Sequence, residues 1–485
     1  MRLLPIVFLL LSVVLTGCYD ESNAASQRIG PTVSLGPKDD VAAAAQSNPE
    51  GTIFNLAPGV YRQQAVDPKN NQRFIGSAGT VFNGAMILRG WKRENGHWVV
   101  DGLPETLHRS GYCEDKGELC TYREDLFVNG VLYKRVADAS KLRPGYWYSD
   151  GGKAQLAEDP KGKLVEMGVL PAAFYGNATG VVLKNITVEK YASEAQHGAI
   201  DGSHGQSWQL TKVNAEWNHG GGLGTGNGMK VKGGSFSHNG QIGIVGSGDK
   251  VTIDSVEISS NNYAAYSGGW EAGGTKFSNT NGLVVRNTCV HDNIGPGLWT
   301  DIDNADTLYE HNIVFNNLGD GIKHEISYKA MIRDNIVGDN GKGFDNWLWG
   351  SQILIQNSSN VVVTGNTVQV AADGGNGISM IFQNRGTGRL GPWDTTKDRV
   401  YKNKIIFLGA HGAGGIVADY KVDKVAKDET NRFESNTYLV KDPNFPYWSY
   451  KNGRHRWPEL QEMGGEPHSR MKVDAATPIK FSCKR

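Results

Sequence analysis

Residues 290–340 read VHDNIGPGLWTDIDNADTLYEHNIVFNNLGDGIKHEISYKAMIRDNIVGDN. One short pattern occurs there three times, at VHDN, VFNN and VGDN: an apolar residue, two variable residues and an asparagine, followed by a glycine-rich turn. Upstream the same ending appears in AEWN, FSHN and ISSN. Asn218, Asn239, Asn261, Asn293, Asn317 and Asn340 thus form one series, with spacings of 21, 22, 32, 24 and 23 residues. Short β-rich runs lie between them, among them DKVTIDSVEI, NGLVVRNTCV and DTLYEHNIV, and helical periodicity is absent from most of the stretch. One arrangement fits: strands of about three to five residues wind one coil per repeat and stack in parallel, so that equivalent positions form ladders about 4.8 Å apart. An inward asparagine at a fixed turn satisfies backbone groups of neighbouring coils. A propeller would need repeats of about 40 residues or more, and the LxxLxL pattern of a leucine-rich repeat is missing.

Composition agrees with a turn-rich β protein. The chain has 485 residues, 63 of them glycine without collagen periodicity, and 39% hydrophobic residues, enough for a substantial core. Lys+Arg and Asp+Glu are both 50, so no global basic field points to nucleic acid. The 12 tryptophans are a notable number, since exposed tryptophan is a common sugar-stacking platform. No G-x-S-x-G elbow, P-loop or dinucleotide fingerprint is present.

The N-terminus reads as a targeting segment. Arg2 precedes the apolar run LLPIVFLLLSVVL, too short for a membrane span, which ends in LTGC at residues 15–18. LTGC resembles the bacterial lipobox. That resemblance implies a signal peptide over residues 1–17, lipidation of Cys18, a tether over 18–39 and attachment to a membrane. Tyr19 after the anchor implies the outer membrane, facing the periplasm or the surface. In an exported setting Cys113 and Cys120, flanking CEDKGELC, are free to form a disulfide, with a metal pair as the alternative. Cys289 lies in an apolar strand pattern and reads as a buried thiol, and Cys483 has no assigned partner.

The coils and turns resemble the right-handed parallel β-helix of the pectate-lyase-like superfamily, and GTIFNLAPGVY at residues 51–61 resembles its first-coil entry. The expected fold is all-β: a solenoid starting over 40–85, a β-rich antiparallel insertion over 86–170, the main β-helix over 171–440 and a C-terminal cap or tail over 441–485. GWKRENGHWVV, DLFVNGVLYKRV and GYWYSDGGKAQLAED read as the hairpins of the insertion.

The ladder brings two acids together. Asp301 lies eight residues after Asn293 and Glu325 eight after Asn317, so equal turns set them side by side on adjacent coils. The rung spacing matches the carboxyl separation of roughly 5–5.5 Å in retaining glycosidases. Close carboxylates also push their pKa values apart. Trp270 and Glu271 stand in the preceding coil, Trp299 beside Asp301, and Trp347 and Trp349 one coil further on, aromatic faces suited to a pyranose. The structural alternatives are turn-capping by Asp303 and Asp306, a Ca²⁺ site, and a supporting role for His324. More narrowly, GGWEAGGTKFSNTNGLVVRN, GPGLWTDIDN and GIKHEIS are similar to β-helical glycoside hydrolases of the β-xylosidase type, where the catalytic Asp and Glu come from successive coils.

The leading expectation is therefore a monomeric glycoside hydrolase acting on a poly- or oligosaccharide without a cofactor. Asp301 is its nucleophile, Glu325 its acid/base and Asp303 the rival to Asp301. Trp270, Glu271, Lys276, Trp299, Lys323, His324, Trp347 and Trp349 are the substrate-binding candidates. A lyase or epimerase on uronate polymers is the second reading, with Lys276, Lys323 or His324 as base and Ca²⁺ as a possible cofactor. A non-catalytic glycan binder is the third.

Overall fold

The structure, a computed structural model, describes residues 30–104, 107–344, 346–420, 425, 430–473 and 477–483. The signal-peptide and Cys18 expectations lie outside the described residues. Among the described residues no helix is long and apolar enough to cross a membrane.

The chain winds as a right-handed parallel β-helix with three ladders of short strands. Each ladder buries one apolar row because alternate residues of a strand face opposite ways. In the first, Val285, Tyr309, Ile332, Val363 and Val400 stack in register and are fully buried. In the second, Ile258, Val290, Val314, Val337 and Val368 do the same. The third carries Leu298, Ile322, Ile353 and Ile378 inward. β-branched side chains suit these short, fully packed strands.

The asparagine series forms a ladder of its own. Asn218 Nδ2 donates to Asn239 Oδ1 (3.0 Å), and Asn239 to Asn261 (3.0 Å). Asn261, Asn293 and Asn317 each donate to the next asparagine at 2.8 Å, ending at Asn340. Each acceptor oxygen also takes a backbone N–H of the preceding coil. A second ladder runs through Asn312, Asn335, Asn366, Asn403 and Asn436.

The insertion leaves and re-enters a single coil. Arg73–Ile75 pairs directly with Val182–Lys184, and Thr80–Asn83 with Thr187–Glu189. Between them an eight-stranded, mostly antiparallel sheet runs from Ala85–Ile87 to Val165–Gly168, with its own core around Leu126, Trp147 and Met167.

Three features differ from the sequence reading. The expected tether includes a solenoid strand: Thr32–Leu35 pairs in parallel with Ile53–Leu56, because alternate Val33 and Leu35 pack on the core. The expected cap continues the helix: Trp448–Tyr450 extends the third ladder and Arg470–Val473 pairs with Thr437–Val440. Cys289 is not a free thiol but is bonded to Cys483, 194 residues away. The terminal segment runs back along the second ladder to reach it. Ile479 N donates to Gln369 (2.7 Å), and Phe481 stacks on Phe315, itself stacked on His291. Cys113 and Cys120 form the other disulfide.

Candidate functional site

The site lies on the outer face of the third ladder. Leu298–Asp301 and Ile322–Glu325 pair in parallel, with Trp299 opposite Lys323, Thr300 opposite His324 and Asp301 opposite Glu325. Leu298 and Ile322 face the core, so parity turns Trp299, Lys323, Asp301 and Glu325 outward and Thr300 and His324 inward. Both strands end at the carboxylate. After Asp301 the chain turns through left-handed Ile302 and Asp303 (φ 62° and 58°).

Charges alternate across the site. Lys276 Nζ lies 2.9 Å from Asp301 Oδ2 and 3.6 Å from Glu271 Oε2. Gln196 donates to Glu271 at 2.7 Å, and Lys276 donates to the Trp270 carbonyl at 2.8 Å. Glu325 is held from both sides, by Lys323 at 2.7 Å and Arg385 at 2.6 Å, and it accepts the Trp299 indole N–H at 3.1 Å. Asp301 and Glu325 are 6% and 4% exposed. Asp301 Oδ1 is buried and has no hydrogen-bond partner among the described residues.

These surroundings move the two carboxyls in opposite directions. Burial, and then the charge of Glu325, raise the pKa of Asp301 above the ordinary aspartate value, against the pull of Lys276. Burial acts upward on Glu325 as well, but Lys323 and Arg385 together outweigh it and hold this group below the ordinary value. Burial also raises Glu271, and it pushes the nearby Asp320 up to about 6. Of the pair, Asp301 therefore holds a proton more readily than Glu325 does.

Several expected binding residues are placed differently. His324 faces the interior: Thr300 Oγ1 lies 2.7 Å from its Nδ1, and burial lowers its pKa to about 4, leaving a neutral ring. Trp299 offers no open face, being 2% exposed between the ammonium groups of Lys276 (4.2 Å) and Lys323 (4.6 Å). Asp303 is no partner of Glu325. Its carboxylate accepts Arg389 N and Trp393 Nε1 at 3.0 Å and so clips a projecting arm, which Tyr328 O–H also holds at Gly391 (2.7 Å). That arm carries Arg385. The remaining tryptophans bracket the pair, half-buried. Trp270 packs on the Cys113–Cys120 loop through Tyr112, whereas Trp347 and Trp349 lie on Leu354 and Ile381, register partners of Lys323 and Gln356.

The donor set does not suit a calcium cage. Asp301 and Glu325 each face a lysine, and Asp303 faces N–H donors, where Ca²⁺ would need six to eight oxygens. Cys289 and Cys483 cluster with His291, but their sulfurs are joined to each other. Sequence reasoning missed Gln196, Gln356 and Arg385. Arg385 lies 60 residues beyond Glu325, on an arm outside the repeat, so no period announces it.

A family model described as a right handed beta helix region matches residues 198–359. No curated protein matches the sequence. Among solved structures, XylC in complex with xylose is similar at 14% identity and a TM-score of 0.67, over 91% of this chain and 86% of that one. The Dettilon tailspike protein gp208 follows at 10% identity and a TM-score of 0.48, over 86% of this chain and 70% of that one. The Azotobacter vinelandii mannuronan C-5 epimerase AlgE4 A-module stands at 9% identity and 0.43, over 90% and 92%. At this level the XylC likeness shows a shared fold, the right-handed parallel β-helix.

Proposed function

We propose that the chain is a carbohydrate-active enzyme, a glycoside hydrolase whose reacting pair is Asp301 and Glu325. One observation carries the reading: two carboxyls on one rung of adjacent strands, one fully ligated and ionised, the other with a bare buried oxygen and a raised pKa. XylC, of similar fold, was solved with xylose bound, which is consistent with a sugar ligand on this scaffold.

In this mechanism Asp301 Oδ1 gives its proton to the glycosidic oxygen as the bond to the anomeric carbon breaks. Glu325 attacks that carbon, and the leaving alcohol departs neutral. Lys276, 2.9 Å from Asp301, stabilises the carboxylate left behind. Asp301 then takes a proton from water as that water displaces Glu325 from the sugar. A rung of about 4.8 Å suits this retaining, two-step course. Arg385, on the clipped arm, is the contact of Glu325 best placed to yield when the sugar enters.

Elimination on a uronate is less well supported, because His324 is turned inward, Lys276 is engaged by Asp301 and Glu271, and Lys323 by Glu325. Product mass against a glycan panel tests the reading: hydrolysis adds water, elimination adds none, and a binding protein leaves the glycan intact. Attachment to an outer membrane through Cys18 is proposed on the LTGC motif alone. Incorporation of labelled lipid that is lost in Cys18→Ala would support it, and unchanged labelling would reject it.

A further inference from the structure

Gln356 stands one rung beyond Glu325, so that Asp301, Glu325 and Gln356 are register partners on three consecutive strands. Its amide has a determined orientation. Asp419 can only accept, so Gln383 directs its NH₂ to Asp419 Oδ2 at 2.8 Å. Gln383 Oε1 therefore faces Gln356, whose own NH₂ donates to it at 2.8 Å. Asn357 fixes the Gln383 backbone on both sides, accepting its N–H and donating to its carbonyl. The relay leaves Gln356 Oε1 as an acceptor. That oxygen is buried, on a residue 2% exposed, and no donor reaches it among the described residues.

Native proteins pair nearly all such groups, and an orphan acceptor beside a reacting carboxylate calls for a donor from outside the chain. The cations nearby are already engaged: Lys276 by Asp301 and Glu271, Lys323 and Arg385 by Glu325. At Gln356 Oε1 the rung lacks a hydrogen-bond donor.

We propose that Gln356 Oε1 is a substrate-binding acceptor that takes a hydroxyl of a neutral sugar lying against Glu325, and that the site discriminates against uronates. A uronate carboxylate would bring a second acceptor and a negative charge to the rung already holding Glu325. This inference rests on the reading of the site as a carbohydrate site. A site built to pair with a hydroxyl rejects the analogue that lacks one far more strongly than an apolar pocket does.

Calorimetric titration with matched ligands tests it: methyl glucoside against methyl glucuronide, methyl galactoside against methyl galacturonide, and methyl xyloside. The expected result is binding of a neutral glycoside, with its uronide at least about tenfold weaker, and a further loss of about tenfold in Gln356→Met. Gln383→Met, at a half-exposed position, frees the Gln356 amide to turn and should give a smaller loss in the same direction. It carries the test if Gln356→Met does not fold. Equal or tighter uronide binding, unchanged affinity in the folded variants, or no binding by any glycoside would overturn the proposal. Turnover is scored separately. Binding without hydrolysis removes the hydrolase reading and leaves this assignment, whereas hydrolysis with an unchanged KM in Gln356→Met removes this assignment alone.

Discussion

Asp301 and Glu325 occupy one rung of adjacent strands, yet only Glu325 is ligated through both oxygens. Asp301 holds Lys276 through Oδ2 and leaves Oδ1 bare. In the proposed reaction this geometry makes Asp301 the proton carrier and Glu325 its ionised partner, because the cations are distributed unevenly between them.

The pH dependence follows. The proposed mechanism needs Asp301 protonated and Glu325 ionised, so kcat/KM should fall as pH rises through the raised pKa of Asp301. It should also fall at low pH, below the ordinary glutamate range, as Glu325 takes up a proton. Asp301→Asn should remove the alkaline limb and lower the rate by roughly 10²–10⁴-fold. A pH–rate profile of both proteins checks this.

Asp303 should behave as a positioning residue. Asp303→Ala frees Arg389 N and Trp393 Nε1, loosens the arm and weakens the hold of Arg385 on Glu325. The expected loss is about tenfold, far less than for Asp301→Asn. The acid limb should also move up, since Glu325 loses a cation. A drop as large as that of Asp301→Asn, with an unmoved acid limb, would make Asp303 a reacting group.

The repeat constrains some positions and leaves others free, for physical reasons. The asparagine ladder was legible because each member meets the same demand one coil apart, and the Asp301–Glu325 rung because both lie at one offset from it. The offset fixes a rung but not a face, so it leaves His324 open to a binding or a supporting role. With Lys323 and Glu325 outward, strand parity already turns His324 in. Trp299 was read as an open face because the two lysines that cover it come from neighbouring coils. Arg385 and the Cys289–Cys483 bond depend on segments outside the repeat, where no period constrains the path.

The asparagine ladder should dominate stability locally. Asn317→Ala leaves the N–H of Asn293 without its partner and takes one hydrogen bond each from the Asn293 NH₂, the Val290 carbonyl and Asn340 Oδ1. The expected cost is about 3 kcal/mol, as several buried polar groups lose a bond at once. Its exposed neighbour gives the control, since Leu318→Ala should cost only about 0.5 kcal/mol. Denaturant melts of the two variants provide the comparison.

The Cys289–Cys483 bond straps the terminal segment along the second ladder. Cys483→Ser should destabilise the chain by about 2–4 kcal/mol and expose residues 477–483 to protease before the coils unfold. Limited proteolysis of oxidised and reduced protein would show it. Equal cleavage rates would mean that the stacking of Phe481 on Phe315 suffices.

Azide rescue tests the division of roles between Asp301 and Glu325 most directly, using the first aryl glycoside found to be cleaved. In Glu325→Ala, azide should restore turnover and give a glycosyl azide of inverted anomeric configuration, because it replaces the missing nucleophile. In Asp301→Ala, azide should give the product with retained configuration, because it enters on the side that Asp301 has vacated. The opposite pairing of product and variant would contradict the assignment of the proton to Asp301, and full activity in either variant without azide would contradict the pair itself.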